Sequence, residues 1–480
     1  MKHRHAAHRI PARRVPLEAK PSEAASRVRQ CGNLALVCVV VILVSLPLHG
    51  EPQRVSVASL EALAAYAAKN GNTVVMRPGI YRLSDYLTAE RIAERRENEV
   101  FEFLEFSGSD NTFHLNGVTI EVDTALRTAL RPPIHTSEFL VSGNHNSIIG
   151  LAITNTGDAT SPGGALFEIS GAQNALRDCT FWVQGSSPYG YGDLFGKGPR
   201  PVISHHKHSA VLIRGDSATL VGCRVHMRSY GHGYFVQDGD NHVFEDCFVE
   251  GAMRATDDML AETSGPAFDA AFRSVYKNRH GENRVTSGYM KSLAEDGFRT
   301  YSQARNLVFR NCTAKYMRAG FELRTQGGVQ VENCEAIGNE RGYWVSSDAK
   351  VINSRGDARY GPLLFVEGDN AAVELVLAPT VSDMTVHGLA TIHGSRHHVT
   401  LRSEHDEHRP RPLPILVGYS QPPAGEGMSP YGEGPARRVT LRNETTMPVK
   451  IGEAAEENRI ITNGPVLHDA GKQNEVVPSQ

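Results

Sequence analysis

Four stretches of the chain repeat one pattern. Gly231 to Cys247 reads GHGYFVQDGDNHVFEDC, and variants return downstream as EDGFRTYSQARNLVFRNC, RAGFELRTQGGVQVENC and ERGYWVSSDAKVINSR. The glycines Gly297, Gly320 and Gly342 set a period of 22 to 23 residues. Repeats of that size build solenoids. Apolar and polar residues alternate with period two inside each unit, which specifies strands rather than helices. Three short strands per unit, stacked at about 4.8 Å, make a parallel β-helix. Units of this kind run from about Asn111 to about Thr462, roughly a dozen coils. The 480 residues are therefore expected to hold one long all-β domain over 51–475 rather than the three domains that their number would suggest.

Residues 1–50 stand apart. A basic segment without periodicity leads to the apolar run LALVCVVVILVSLPL at 34–48. That run is short of the ~20 residues of an untilted membrane span and fits the apolar region of a signal peptide. An uncleaved membrane anchor is the alternative, because LHG before Glu51 is a poor cleavage site. Either way the rest of the chain is expected to be exported: periplasmic, at the cell surface or secreted. The net charge of −3 gives no reason to expect a nucleic-acid partner. Cys179, Cys223, Cys247, Cys312 and Cys334 each follow an Asp, Asn or Gly at the same point of a unit. Equivalent positions in stacked coils form a ladder, here one of inward thiols, although an exported chain could also bridge one or two pairs.

The start of the domain, 57–81, reads VASLEALAAYAAKNGNTVVMRPGIY. Leu60, Leu63, Ala64 and Ala67 share one side of a helix that stops at Asn70-Gly71. The first coil of a solenoid exposes unpaired backbone, and such a helix would cover it. This helix, the GNTVVMRPGIY segment and the coils together resemble the right-handed parallel β-helix proteins that act on polysaccharides: pectate, alginate and chondroitin lyases, and polygalacturonases. The resemblance spans about Val57 to Thr462. It implies a right-handed parallel β-helix with an N-terminal capping helix, and a substrate groove on the strand after each glycine and the turn before it. It assigns no activity, since the fold also hosts hydrolases, esterases, epimerases and adhesins.

Tyr234 and Val236, Phe298 and Thr300, Phe321 and Leu323, and Tyr343 and Val345 take the inward phase of that strand. Phe235 and Gln237, Leu260 and Glu262, Arg299 and Tyr301, Glu322 and Arg324, and Trp344 and Ser346 then face out. Any one of these would be unremarked on a solvated strand, but aromatic faces stack on sugar rings and Arg and Glu bond hydroxyls and carboxylates. The residue before each glycine-equivalent position runs His208, His232, Asp257, Asp296, Ala319, Arg341, with His205, His206, Asp258 and Glu295 beside them. Asp and Gly are common in turns, whereas a run such as SHHKHS is not. Two insertions, 184–209 and 263–283, are expected to wall the groove. The first carries Tyr189, Tyr191, Phe195, Lys197 and Arg200; the second carries Arg273, Tyr276, Lys277, Arg279 and His280. Between Gly196 and Thr325, 18 Lys and Arg face 14 Asp and Glu, which favours an anionic polymer. A further outward column holds His226, Glu250, Lys291 and Lys315, and Lys291 would be a base if its surroundings lowered its pKa.

Three functions fit this pattern. A polysaccharide lyase breaks a uronate by β-elimination. It neutralises the substrate carboxylate, removes the neighbouring ring proton and assists the leaving oxygen. His232, Lys291 or Arg299 would be the base, and Arg324 would hold the carboxylate. Asp257, Asp258, Glu262 and Asp296 would hold a hard cation such as Ca²⁺. Substrate contacts would come from His206, His208, Phe235, Gln237, Tyr301, Glu322, Arg324 and Trp344. An inverting hydrolase would instead pair Asp257 or Asp258 with Asp296 at about 6.5–9.5 Å. Polygalacturonases carry Asp-Asp before Gly-His-Gly, whereas here Gly231-His232-Gly233 comes first, so no roles transfer. A non-catalytic glycan-binding scaffold is the third, and the partner in every case is a polysaccharide met by a monomer. A transition metal at HHKH and a pectin-methylesterase pattern (only Gln237-Asp238 present) have less support.

Overall fold

The computed structural model describes residues 53–478, apart from 162, 197–200, 276, 279, 326, 380–387, 405–412 and 420–433. The leader at 1–50, with its proposed signal or anchor, lies outside the described residues, as do Lys197, Arg200, Tyr276 and Arg279 of the expected walls. Among the described residues no helix is long and apolar enough to cross a membrane.

Parallel strands stack in coils as the repeat requires. A 13-stranded parallel sheet runs from Leu104–Phe106 to Val466–Asp469 and contains the strand after each repeat glycine. The other long sheet has 21 strands, because most coils bend midway and contribute two segments to it. The bend explains the Asp/Asn/Gly-Cys signature. Asp178, Gly222, Asp246, Asn311 and Asn333 all have φ between 52° and 66°. Asn, Asp and Gly tolerate this left-handed conformation at least cost. The cysteine that follows then points inward, and all five are buried and free. The regular spacing of glycine has a different cause. A Cβ on Gly297 or Gly320 would lie within 2.8–2.9 Å of the carbonyl oxygen of the glycine on the next coil.

Stacked inward side chains fill the core. The rings of Tyr234, Phe298, Phe321 and Tyr343 lie nearly parallel, with centroids 4.8–5.1 Å apart. Buried asparagines form a second ladder that sequence periodicity did not single out: the amides of Asn72, Asn111 and Asn146 each donate from the backbone to the side-chain oxygen of the next, ending on Asn174. At the N-terminal end, helix Leu60–Ala67 buries Leu60, Leu63 and Ala67 and packs on Leu104–Phe106, the first strand of the 13-stranded sheet. It is shorter than expected. Residues Gln53–Val57 form a strand paired with Asn72–Met76, and Ser59 caps the helix by accepting from the Ala62 amide at 3.2 Å.

One coil assignment is corrected. Tyr234–Val236 pairs directly with Asp296–Thr300, so no rung passes through Asp257. The intervening chain leaves the solenoid as an antiparallel hairpin, Met253–Ala255 with Met290–Ser292, tipped by helices Thr256–Leu260 and Pro266–Asp269. The sequence marked this departure: partners on adjacent coils lie 65 residues apart here, as for Asp240 and Arg305, but 24 apart for Asp216 and Asp240. Leu260 and Glu262 therefore do not face out from the groove sheet.

Two outcomes test this architecture. Replacing Asn333 by Val is expected to cost about 1–2 kcal/mol in denaturant titrations, while Gly is tolerated, because only the β-branched residue resists positive φ. The five buried thiols are expected to resist a thiol reagent until the protein unfolds, and the melting temperature to be the same with and without reductant.

Candidate functional site

The register of the groove sheet stacks His232, Asp296, Ala319 and Arg341 in one column. Asp296 pairs with Ala319, the Gly233 amide donates to the Asp296 carbonyl at 3.0 Å, and the Gly320 amide to that of Arg341 at 2.8 Å. The position before it holds Glu295 and Arg318, which became neighbours by the same stacking. Two insertions bring further charges: Lys207 and Asp193 from 184–208, and Lys291 from the base of the hairpin.

These groups form one ionic cluster at the groove floor. Asp296 is fully buried, and Arg318 grips it through Nε at 3.0 Å and Nη2 at 2.8–2.9 Å. Glu295, also buried, accepts from Lys207 Nζ at 2.9 Å, Tyr230 OH at 3.2 Å and Arg318 Nη1 at 3.3 Å. His232 stands between the two carboxylates, Nε2 3.4 Å from Glu295 and Nδ1 3.4 Å from Asp296, and keeps 11% of its side-chain surface open. One rung on, Glu322 takes Arg299, Arg341 at 2.8 Å and Arg324 at 3.6 Å. Arg324 is the most open of these, 44% exposed, with its guanidinium over the Trp344 ring at 4.4 Å.

The surroundings fix the charge states. Burial alone would raise the Asp296 carboxyl, but Arg318, aided by His232 and Arg299, holds it well below the ordinary carboxylate range. Burial lowers His232 below the usual 6.5 in spite of the two carboxylates beside it, so the imidazole is neutral at pH 7. Burial pushes His205 down to about 4, its ring tilted against Tyr230 at 4.6 Å. Lys291 follows the opposite course. Burial opposes its charge, yet Asp193 at 3.0 Å and Glu340 at 2.7 Å raise it above the ordinary lysine range.

Several sequence assignments change on this geometry. Lys291 cannot serve as a base, because its ammonium is held between two carboxylates and ties both insertions to a coil. Asp257 and Asp258 lie exposed on the hairpin's short helix, where carboxylates favour the helix start, and Asp257 accepts from the Gly288 amide at 2.9 Å. The Ca²⁺ set is not assembled. Glu262 is taken by Arg254 at 2.7 Å and Tyr191 at 2.9 Å, Asp296 by Arg318, and among the described residues no three His, Cys, Asp or Glu are placed to hold a metal. The proposed hydrolase pair does not stack, because Asp257 and Asp258 lie on the hairpin's helix Thr256–Leu260 and not on the coil next to Asp296. His208 is fully buried one position off the column, with its ring nitrogens on the Gln184 carbonyl at 2.6 Å and Glu138 at 3.4 Å. Phe235 and Trp344 point outward as expected but are each only 6% exposed, covered by neighbours such as Tyr301 and Arg324, so neither offers a free ring face. Gln237 is partly exposed and accepts from Arg214 at 2.9 Å; His206 is exposed, in an isolated bridge to Ser187. His232, Asp296, Arg299, Tyr301, Glu322 and Arg324 do come together.

Arg318, Lys207 and Tyr230 were missed. Arg318 was within reach: it follows Glu295 by 23 residues, one period, and so must stack beside it.

Residues 200–358 match the model of the right-handed β-helix region, which gives the hand of the solenoid. No curated protein matches. Among solved structures, an alginate lyase of polysaccharide lyase family 6, in complex with a trisaccharide, is 13% identical, with 89% of this chain and 86% of that one covered and a TM-score of 0.44. The periplasmic alginate epimerase AlgG is 8% identical (89% and 85% covered, TM-score 0.32), and an endo-xylogalacturonan hydrolase from Aspergillus tubingensis is 12% identical (87% and 88%, 0.29). The likeness is one of fold.

Removing Arg318 takes the shortest ionic partner from buried Asp296 and one of three donors from buried Glu295. Arg318→Met is expected to destabilise the protein by about 3–5 kcal/mol in equilibrium unfolding, far more than Arg324→Met on the open side of the groove.

Proposed function

We propose that the chain is an exported carbohydrate-active enzyme, a polysaccharide lyase that cleaves an anionic, uronate-bearing glycan by β-elimination. The observation that carries this reading is a neutral His232 held beside a groove in which Arg299, Arg324 and Arg341 converge on Glu322, with Arg299 and Arg341 also facing Asp296 and Arg324 left open to solvent. Arg324, the open one, binds the substrate carboxylate and withdraws charge from it. The ring C–H beside that carboxylate becomes acidic, and His232 takes the proton at Nε2, which turns from Glu295 to the substrate while Nδ1 stays on Asp296. The C–O bond to the leaving sugar breaks as the ring double bond forms, and the leaving oxygen takes a proton from Tyr301, one rung from Arg324 on the same outward column. Asp296 at Nδ1 orients the imidazole, as a carboxylate does behind a catalytic histidine, and Glu295 beside it adds to the stabilisation of the protonated form. Arg318 keeps Asp296 ionised for that task.

An inverting hydrolase needs one carboxyl group that is protonated at the working pH. The buried carboxyls here each face guanidinium or ammonium groups, which counts against that chemistry. The basic leader and its apolar run support export, and the local excess of cations supports an acidic substrate.

A panel of acidic glycans tests the reading. Turnover is expected to produce the ultraviolet absorbance of a conjugated unsaturated uronate, with or without chelator. His232→Ala and Arg324→Ala are each expected to lower kcat/KM by about 100-fold or more without unfolding the protein. Reducing ends without that absorbance, or full activity in His232→Ala, would overturn it. Because the neutral imidazole is the base, kcat/KM is expected to be flat above pH 7 and to fall as the pH drops through an ionisation below 6.5.

A further inference from the structure

The face that leads into the groove turn carries a second constellation. Strands Thr180–Gln184, Arg224–Arg228 and Phe248–Glu250 stack in register, with Trp182 opposite His226 and Arg224 opposite Phe248. Their inward residues Phe181, Val183, Val225, Met227 and Val249 fill the core, while Trp182 points out with 43% of its surface exposed. A lone exposed apolar side chain is ordinary. This one is not alone. The indole lies parallel to the His226 imidazole, centroids 3.9 Å apart at 14°, and Phe248 continues the shelf 5.9 Å beyond. Cations edge it: the Arg224 guanidinium is 5.7 Å and the Lys315 ammonium 6.0 Å from the Phe248 centroid. Glu250, the carboxylate on these rungs, faces His226 at 3.6 Å.

We infer that this shelf is a second, non-catalytic binding surface for an anionic polysaccharide, an inference that rests on the functional reading above. Sugar C–H groups pack on the open part of the indole, one face of which is already stacked on His226, and uronate carboxylates meet Arg224 and Lys315. The charge is complementary to an acidic chain. The shelf also adjoins the turn that builds the groove, so a polymer held on it is presented to the groove at raised effective concentration. An oligosaccharide that fills only the groove gains nothing from it.

The test is affinity electrophoresis of the full chain through gels containing alginate and, separately, polygalacturonate, with Trp182→Ala and Arg224→Glu, both at exposed positions and checked for folding by circular dichroism. Each variant is expected to be retained about fivefold more weakly than wild type, with kcat/KM on short oligosaccharides unchanged. Retention equal to wild type in both variants overturns the shelf while leaving the proposed lyase in place. Self-association of the wild type that Arg224→Glu abolishes assigns the face to a second copy and also overturns it. A wild type that neither cleaves nor is retained by any acidic glycan overturns both readings.

Discussion

Stacking in register is the constraint on which everything else depends. Each coil's strands donate and accept backbone hydrogen bonds with the coils before and after, so a side chain 22–24 residues away in sequence is fixed about 4.8 Å away in space. The core uses this to build ladders of like residues: aromatic rings, thiols and asparagine amides. The site uses the same device with unlike residues. His232, Asp296, Ala319 and Arg341 occupy one ladder position on successive coils, with Glu295 and Arg318 on the position before it. The backbone that aligns them is already committed to the sheet, which is what preorganises a catalytic or binding cluster.

Burying so many charges is costly, and the cluster is arranged to limit that cost. Asp296 and Arg318 meet through several charge-assisted hydrogen bonds, the geometry in which a buried pair best recovers its desolvation. The same pairings divide the groups by function. Carboxylates held by guanidiniums stay ionised and serve as orienters. Lys291 is locked as a cation and serves as a tie between insertions. His232 is the imidazole between the two carboxylates, and burial favours its neutral form, while Arg324 is the guanidinium most open to solvent. On the proposed lyase reading, the division leaves His232 as the base and Arg324 as the anion-binding group.

Much of this was legible in the sequence. Period and alternation fixed which residues of the groove strand point in, and Tyr234, Phe298, Phe321 and Tyr343 stack as expected. The signature before each cysteine is a left-handed bend. What periodicity could not reveal was where the solenoid is interrupted. Asp257-Asp258 resembles a turn position, yet the chain had already left the coil at about residue 252, and the helical insertion follows local rules rather than the repeat. Side-chain fate was also hidden. Alternation says that Phe235 and Trp344 face out, but not that neighbouring long side chains fold over them, and Lys291 looks free until Asp193 and Glu340 arrive from elements distant in sequence.

Elimination and hydrolysis differ in whether water enters the product. Digestion of the cleaved uronate polymer in ¹⁸O-labelled water, followed by mass spectrometry of the new ends, separates them directly. A lyase built on His232 and Arg324 leaves unlabelled, unsaturated ends; ¹⁸O in newly formed saturated ends would contradict it.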